Sequence, residues 1–156
     1  MPKAKKPKAK TKKIKAKQVT KGKKSRFVDE IIFQGVISEN FKVEIPDIQQ
    51  IIISSQDFKM DIELPISLIE SIEENYNYVL EEKREIFIKM SRDKIKQDFA
   101  IFLGKCIIFD VRQKYFLGSI GGLTIKLMNL SENIKLFPQN AKINVALFKS
   151  LEDLQK

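Results

Sequence analysis

The residue types that carry out most acid–base and nucleophilic chemistry in proteins are scarce in this sequence. It contains no histidine, and Cys106 is its single cysteine. Because Cys106 has no histidine to activate it and lies within the apolar run 106–109, we predict a buried, reduced thiol. The glycine-rich stretch 119–122 does not precede a predicted helix, so it is not expected to cradle a phosphate group.

Carboxylate side chains are the remaining candidates for catalysis or metal binding. They fall on the polar faces of predicted strands or in the runs 73–74 and 81–82, a placement typical of solvated surfaces. Neither the P-loop nor the dinucleotide-binding glycine pattern occurs. We therefore predict no catalytic residue, no metal, no cofactor and no small-molecule substrate. A lone thiol excludes an internal disulfide, and no apolar run reaches the roughly 18 residues of a membrane span, so we expect a reducing compartment and no membrane.

Aromatic side chains interleaved with basic ones are the pattern expected of a surface that stacks single-stranded bases. Such a cluster is present, and its members are Phe102, Tyr115, Phe116, Lys105 and Lys114. It supports an alternative function, a free-standing barrel that binds single-stranded nucleic acid. The charge of the surrounding domain argues against that function, because nucleic-acid-binding domains usually carry a basic stripe.

The charge of the sequence is divided sharply between two parts. Residues 1–26 hold 13 of the 29 basic residues and no acidic one, which leaves 16 basic against 20 acidic residues in 27–156. We predict a disordered lysine-rich tail (1–26) and one folded domain (27–156) with a formal charge of −4. The tail is expected to be a solvated arm, an unspecific nucleic-acid contact or a nuclear import signal. The lysines for the last two roles are Lys5, Lys6, Lys8, Lys12 and Lys13.

From residue 27 onward, apolar and polar residues alternate with the period of a half-buried strand. The clearest case is 57–64, and the same alternation occurs in 41–45, 123–127 and 143–147. In 57–64 one face carries Phe58, Met60, Ile62 and Leu64. This pattern predicts antiparallel strands with one face towards a core.

Four other runs, 51–53, 86–88, 99–103 and 106–109, are apolar throughout or nearly so. They are interpreted as strands covered on both faces, or as barrel strands beneath a loop. Gly104 lies between two of these runs and is expected to mark a bend or a bulge.

Only residues 67–75 have helical spacing, with a capping box formed by Ser67 and Glu70. The remaining pattern contains about eight to ten short strands separated by turn signals, which favours a small closed antiparallel barrel. We therefore predict an all-β fold.

Four segments resemble, in the same order, one family of proteins. They are 55–62 (SQDFKMDI), 97–105 (QDFAIFLGK), 115–128 with SIGGL at its centre, and 134–151. The family is RNA polymerase subunit eight, the small subunit shared by the eukaryotic nuclear RNA polymerases and present in some archaea. The resemblance spans about residues 27–151. Within that span 64–84 matches loosely, and the lysine tail is not a general family feature.

This resemblance implies a barrel of the OB type, in a duplicated or extended form, without catalytic residues of its own. It also implies a structural subunit of DNA-directed RNA polymerase that supports transcription by docking on the largest subunit beside neighbouring subunits. The eukaryotic form is the more similar, so the nucleus is the expected location and the archaeal cytoplasm the alternative.

The expected partner interface consists of Gly121, Gly122, Leu123 and Lys126. The glycine pair has two interpretations. It either lets a partner's backbone approach closely or only shapes a turn.

Overall fold

The computed structural model describes residues 17–19, 27–96, 98–131 and 137–156. Across these residues the chain forms nine β-strands and two short helices. The strands are β1 (Lys17–Val19), β2 (Glu30–Lys42), β3 (Ile48–Ser54), β4 (Phe58–Pro65), β5 (Glu85–Ser91), β6 (Phe102–Val111), β7 (Tyr115–Ile120), β8 (Leu123–Asn129) and β9 (Lys142–Phe148). The helices are α1 (Ile66–Tyr76) and α2 (Leu151–Gln155).

Eight of the strands close into an antiparallel barrel, which confirms the predicted fold class. Their order around the barrel is β2-β3-β4-β8-β7-β6-β9-β5, and β5 pairs back to β2. The 13-residue β2 makes closure possible because it pairs with β5 through Glu30–Val36 and with β3 through Val36–Lys42. Closure pairs main-chain groups that a flat sheet would leave unpaired at its edges.

The ninth strand, β1, lies inside the segment that the sequence predicted as a tail. Lys17–Val19 pair antiparallel with the first residues of β2, from Ile32 to Glu30. The structure places these three residues in a strand rather than in a disordered tail. They pair with the edge of Glu30–Ile32, which is available because β3 pairs with β2 only from Val36 onward. The rest of the predicted tail lies outside the described residues.

The interior of the barrel is filled by the inward-facing side chains of the strands. In β4 the predicted alternation is confirmed, since Phe58, Met60, Ile62 and Leu64 are buried while Lys59 is exposed. Apolar side chains from all eight barrel strands contribute to one continuous core. Burial of this kind contributes about 1.5–3 kcal/mol for each large apolar side chain.

The prediction that 41–45 forms a half-buried strand is wrong. β2 ends at Lys42, and Phe41 and Ile45 are 42% and 57% exposed. The β2–β3 hairpin extends beyond the barrel wall, because β5 pairs with β2 only as far as Val36. Apolar residues at its tip therefore have no core to face.

The predicted bend or bulge at Gly104 is also wrong, because β6 continues through it in regular register and pairs Gly104 with Val145 of β9. A Cβ at Gly104 would lie 2.8 Å from a carbon of Phe102 and of Ile120, so a side chain does not fit there. The irregularity in β6 falls later, between Ile108 and Asp110, where the register to β7 shifts.

Two helices pack against the barrel. α1 begins one residue earlier and ends one residue later than predicted, and the capping box is wrong: the N-cap is Pro65, without a side-chain cap. Ile72 anchors α1 on the core. Helix α2 is not predicted from the sequence; at its N-cap, the Ser150 Oγ accepts a hydrogen bond from the Asp153 N–H at 3.1 Å.

Candidate partner interface

β7 and β8 form a hairpin whose two-residue turn is Gly121-Gly122. Ile120 pairs with Leu123 across the turn, and the two glycines have positive φ angles of 57° and 89°. Two successive positive φ angles are the requirement of a type I′ turn, whose twist matches that of hairpin strands. The Ser119 Oγ also accepts a hydrogen bond from the Gly122 N–H at 3.2 Å. The turn itself therefore requires this pair.

The outer side of the same turn is open. In the described part of the chain, a Cβ built at either glycine meets no atom within 4 Å. Leu123, the residue after the turn, is half-buried. The two interpretations of the glycine pair are thus compatible, because a turn that needs glycine also presents bare backbone to an approaching chain.

Lys126 lies on the outer side of β8, between β4 and β7. Its Nζ is 4.5 Å from the ring centroid of Tyr115, and its partners across the two ladders are Asp61 and Leu117. Burial raises the pKa of Asp61, while a hydrogen bond that the Gln50 amide donates to its carboxylate acts in the opposite direction. Lys126 is held by a ring on one side and faces a carboxylate on the other, which stabilises its position on the surface.

Two of the predicted base-stacking rings face into the barrel. The prediction that Phe116 stacks on bases is wrong, because its side chain is fully buried. Phe102 also points inward and is partly buried against the core. Only Tyr115 faces outward, half-buried beside Lys126. Stacking a base on either inward ring would require that ring to leave the core.

The two basic residues of that predicted surface are exposed but far apart. Lys105 lies near the start of β6, opposite Asn144. Lys114 follows the end of β6 and lines a shallow groove of about 430 Å³ with Leu130. The strand between Lys105 and Val111 spans roughly 20 Å at the usual rise per residue. The structure therefore does not bring the five predicted residues together into one stacking surface.

Two exposed apolar side chains on the outer face of β6 are not predicted from the sequence. Ile107 and Phe109 are 51% and 48% exposed, whereas Cys106 and Ile108, which alternate with them, are buried. The signal is present in the sequence, since 106–109 is apolar on both faces, but a strand that its own chain or a loop covers has the same pattern. The structure shows that the described part of the chain leaves the outer face of this run largely open.

The predicted tail lysines Lys5, Lys6, Lys8, Lys12 and Lys13 lie outside the described residues, so their phosphate-contact and import roles stay predictions. Within the described ranges, no three His, Cys, Asp or Glu side chains are grouped as a metal ion would require. Those ranges also hold no helix with the length and apolarity needed to cross a membrane.

Cys106 is a buried free thiol, as predicted. Burial raises its pKa to about 12, and a hydrogen bond with the Ser119 backbone acts in the opposite direction. The thiol is therefore protonated throughout the neutral range, and the thiolate is the form that reacts.

Alkylation of Cys106 by iodoacetamide at pH 8 is expected to be more than about a hundredfold slower in the folded protein than in guanidinium. The unfolded thiol loses its proton near 9.0 and the folded thiol near 12. The unfolded state consequently gains stability relative to the folded state as pH rises between those values. Mass spectrometry of timed samples measures the alkylation rate, and equal rates in the two states would contradict the buried position.

Comparison with models of known protein families found no match to this chain, and comparison with curated proteins found none either.

Proposed function

We propose that this chain is a non-catalytic structural subunit of a DNA-directed RNA polymerase, docked on the largest subunit, in the nucleus. One observation carries the proposal. The segments that resemble RNA polymerase subunit eight include β4, the start of β6, the β7–β8 hairpin and β9. These strands are neighbours in the barrel, in the order β4-β8-β7-β6-β9.

The segment that resembles the family only loosely, 64–84, begins at the end of β4 and contains α1. The four segments that carry the resemblance lie in this one wall of the barrel, which supports a role in which the wall contacts a partner. The interface residues proposed from the sequence, Gly121, Gly122, Leu123 and Lys126, belong to the same wall.

The alternative function, a free-standing barrel that binds single-stranded nucleic acid, has less support. Two of its three stacking rings face the core, and the folded domain carries a formal charge of −4. A single-strand-binding groove usually combines exposed rings with a continuous basic path.

Purification of the full-length tagged chain from cells that express it naturally is expected to recover the largest polymerase subunit, identified by mass spectrometry. Deletion of residues 1–16 is expected to leave that recovery unchanged. The deletion stops at residue 16 because Lys17–Val19 form β1, and removal of β1 would expose the side of β2 that it pairs with.

The same two proteins distinguish the alternative function. Binding of single-stranded RNA that is retained after the deletion, with no polymerase subunit recovered, would contradict the proposed function and favour the nucleic-acid barrel. RNA binding that disappears with residues 1–16 would assign it to the tail, whose charge makes such binding sensitive to salt.

A further inference from the structure

The outer surface of β6 and β7 is unusually apolar for a barrel wall that faces solvent. Along β6 the outward side chains after Lys105 are Ile107 and Phe109, and Leu117 of β7 lies beside them, opposite Asp110. Leu117 is half-buried. We call Ile107, Phe109 and Leu117 the β6–β7 outer face.

A β-bulge turns an additional side chain towards this face. The register between β6 and β7 shifts between Ile108 and Asp110, so Phe109 has no partner of its own in the ladder. Ile108 and Val111 on either side both pack on the core, which directs Phe109 and Asp110 outward. Bulges of this kind commonly re-aim side chains at functional positions.

The neighbouring wall of the barrel has the same apolar character but is covered by the chain itself. On the outer side of β5 and β9, Phe87 and Phe148 form a second buried cluster together with Ile95 and Ala100. Leu151 and Leu154 of α2 and Leu103 of β6 pack against it. This cover ends at Leu103, and the next outward residue of β6 is the exposed Lys105. The described chain therefore buries the apolar surface on β5 and β9 and leaves the β6–β7 outer face exposed.

The rim of the β6–β7 outer face is basic. Lys105 precedes Ile107 by two residues, Lys142 pairs with Ile107, and Lys126 pairs with Leu117. Beyond the bulge, Arg112 forms an ion pair with Asp110 at 3.2 Å. With Asp61, which pairs with Lys126 from β4, these four cations and two anions have a formal charge of +2, although the whole folded domain has −4.

This charge limits what can cover the face. The lysine-rich tail carries +13 and a second copy would bring an identical basic rim, so both would be repelled. A partner with acidic side chains around its apolar ones would be attracted. Electrostatic complementarity therefore selects a foreign, acidic partner.

The closed ladder limits the partner's conformation. β6 is already hydrogen-bonded to β7 on one side and β9 on the other, so no strand can be added there. A segment that buries its main chain against this face must satisfy its own N–H and C=O groups, which an α-helix does. The partner is therefore expected to be a helix whose apolar stripe packs on the side chains of the β6–β7 outer face.

We propose that the β6–β7 outer face docks an amphipathic helix whose apolar stripe is flanked by Asp or Glu. The identification of this helix as part of the largest polymerase subunit rests on the proposed function. The docking surface itself rests on the exposure, the bulge and the basic rim.

The test compares two double variants of the full-length chain in the co-purification experiment. Ile107→Ser with Phe109→Ser is expected to lower recovery of the largest subunit by more than about tenfold, because both apolar contacts are lost. The matched control is Val36→Ser with Ile45→Ser, at positions 40% and 57% exposed on β2 and beyond its end. The control is expected to stay within about twofold of the unmodified chain. Unchanged thermal unfolding of both variants establishes that folding is preserved.

A photocrosslinker placed at position 109 separates failure of this inference from failure of the proposed function. Crosslinks to an acid-flanked apolar helix of the largest subunit support both. Crosslinks to such a helix of another protein, lost on Ile107→Ser, support the docking surface and overturn the polymerase assignment. Recovery of polymerase that Ile107→Ser with Phe109→Ser leaves intact overturns the docking surface alone, as do crosslinks confined to nucleic acid or to a basic segment.

Discussion

Replacement of Phe116 by alanine is expected to lower the free energy of unfolding by about 3–5 kcal/mol. Phe116 is fully buried, lies between Val111 and Leu127 in the two ladders, and meets Phe137 edge to face with centroids 6.1 Å apart. Truncation leaves a cavity that β6, β7 and β8 cannot collapse to fill, because their hydrogen bonds hold the wall in place. Because small domains are stable by only about 5–15 kcal/mol, this is a large fraction of the total.

Guanidinium denaturation followed by circular dichroism measures this loss, and Phe109→Ala is the matched control. The two variants delete the same atoms from neighbouring strands, but Phe109 is 48% exposed. Its loss should cost less than about 1 kcal/mol. Equal losses at the two positions would contradict the inward orientation of Phe116. A stable Phe116→Ala variant that lost binding of single-stranded RNA would instead support Phe116 as a base-stacking residue.

Gly118→Ala is expected to destabilise the barrel by about 1–3 kcal/mol, although it adds only one methyl group. Gly118 faces inward on β7, and a Cβ there would lie 2.4 Å from the Cys106 Sγ and 3.2 Å from a methyl carbon of Ile125. The Ile107 carbonyl oxygen is 3.3 Å away and belongs to the paired strand, so it cannot move without breaking the ladder. The strain must therefore be taken up by the thiol.

A double-mutant cycle with Cys106→Ala isolates this contact. Removal of Sγ should cost roughly 1 kcal/mol alone, yet it makes room for the new methyl group. The double variant is expected to be more stable than the sum of the two single losses by about 1 kcal/mol or more. Simple additivity in urea or guanidinium titrations would mean that Cys106 and Gly118 do not share the space described.

The barrel was predictable because a period of two is a strong local signal. In β4 each apolar residue of 58–64 is buried, and the same alternation holds in β8 and at the start of β9, where Ala146 and Phe148 are buried on the outer side as well. The same signal failed at 41–45, where Phe41 and Ile45 alternate correctly but lie past the end of the neighbouring strand. Alternation reports which side of a strand a residue occupies, whereas burial depends on how far a distant strand extends.

The interaction surface was harder to predict for a related reason. Ile107 and Phe109 give β6 two apolar faces, and a strand buried by its own chain has the same pattern. The cover over the adjacent wall comes from the five-residue α2, which is too short to leave a clear periodic signal. Only tertiary packing determines whether α2 also covers the outer face of β6. The same holds for Phe116, whose inward position follows from the register with β8 rather than from its neighbours in sequence.

The attachment point of the lysine-rich segment has a geometric consequence. β1 joins the barrel at β2, and in the ring of eight strands β2 is four strands from β7 in either direction. Lys17, at the start of β1, therefore lies across the barrel from the proposed helix-docking side. A partner helix docked on β6 and β7 would leave β1 uncovered and would not block the covalent link to the lysine-rich residues 1–16.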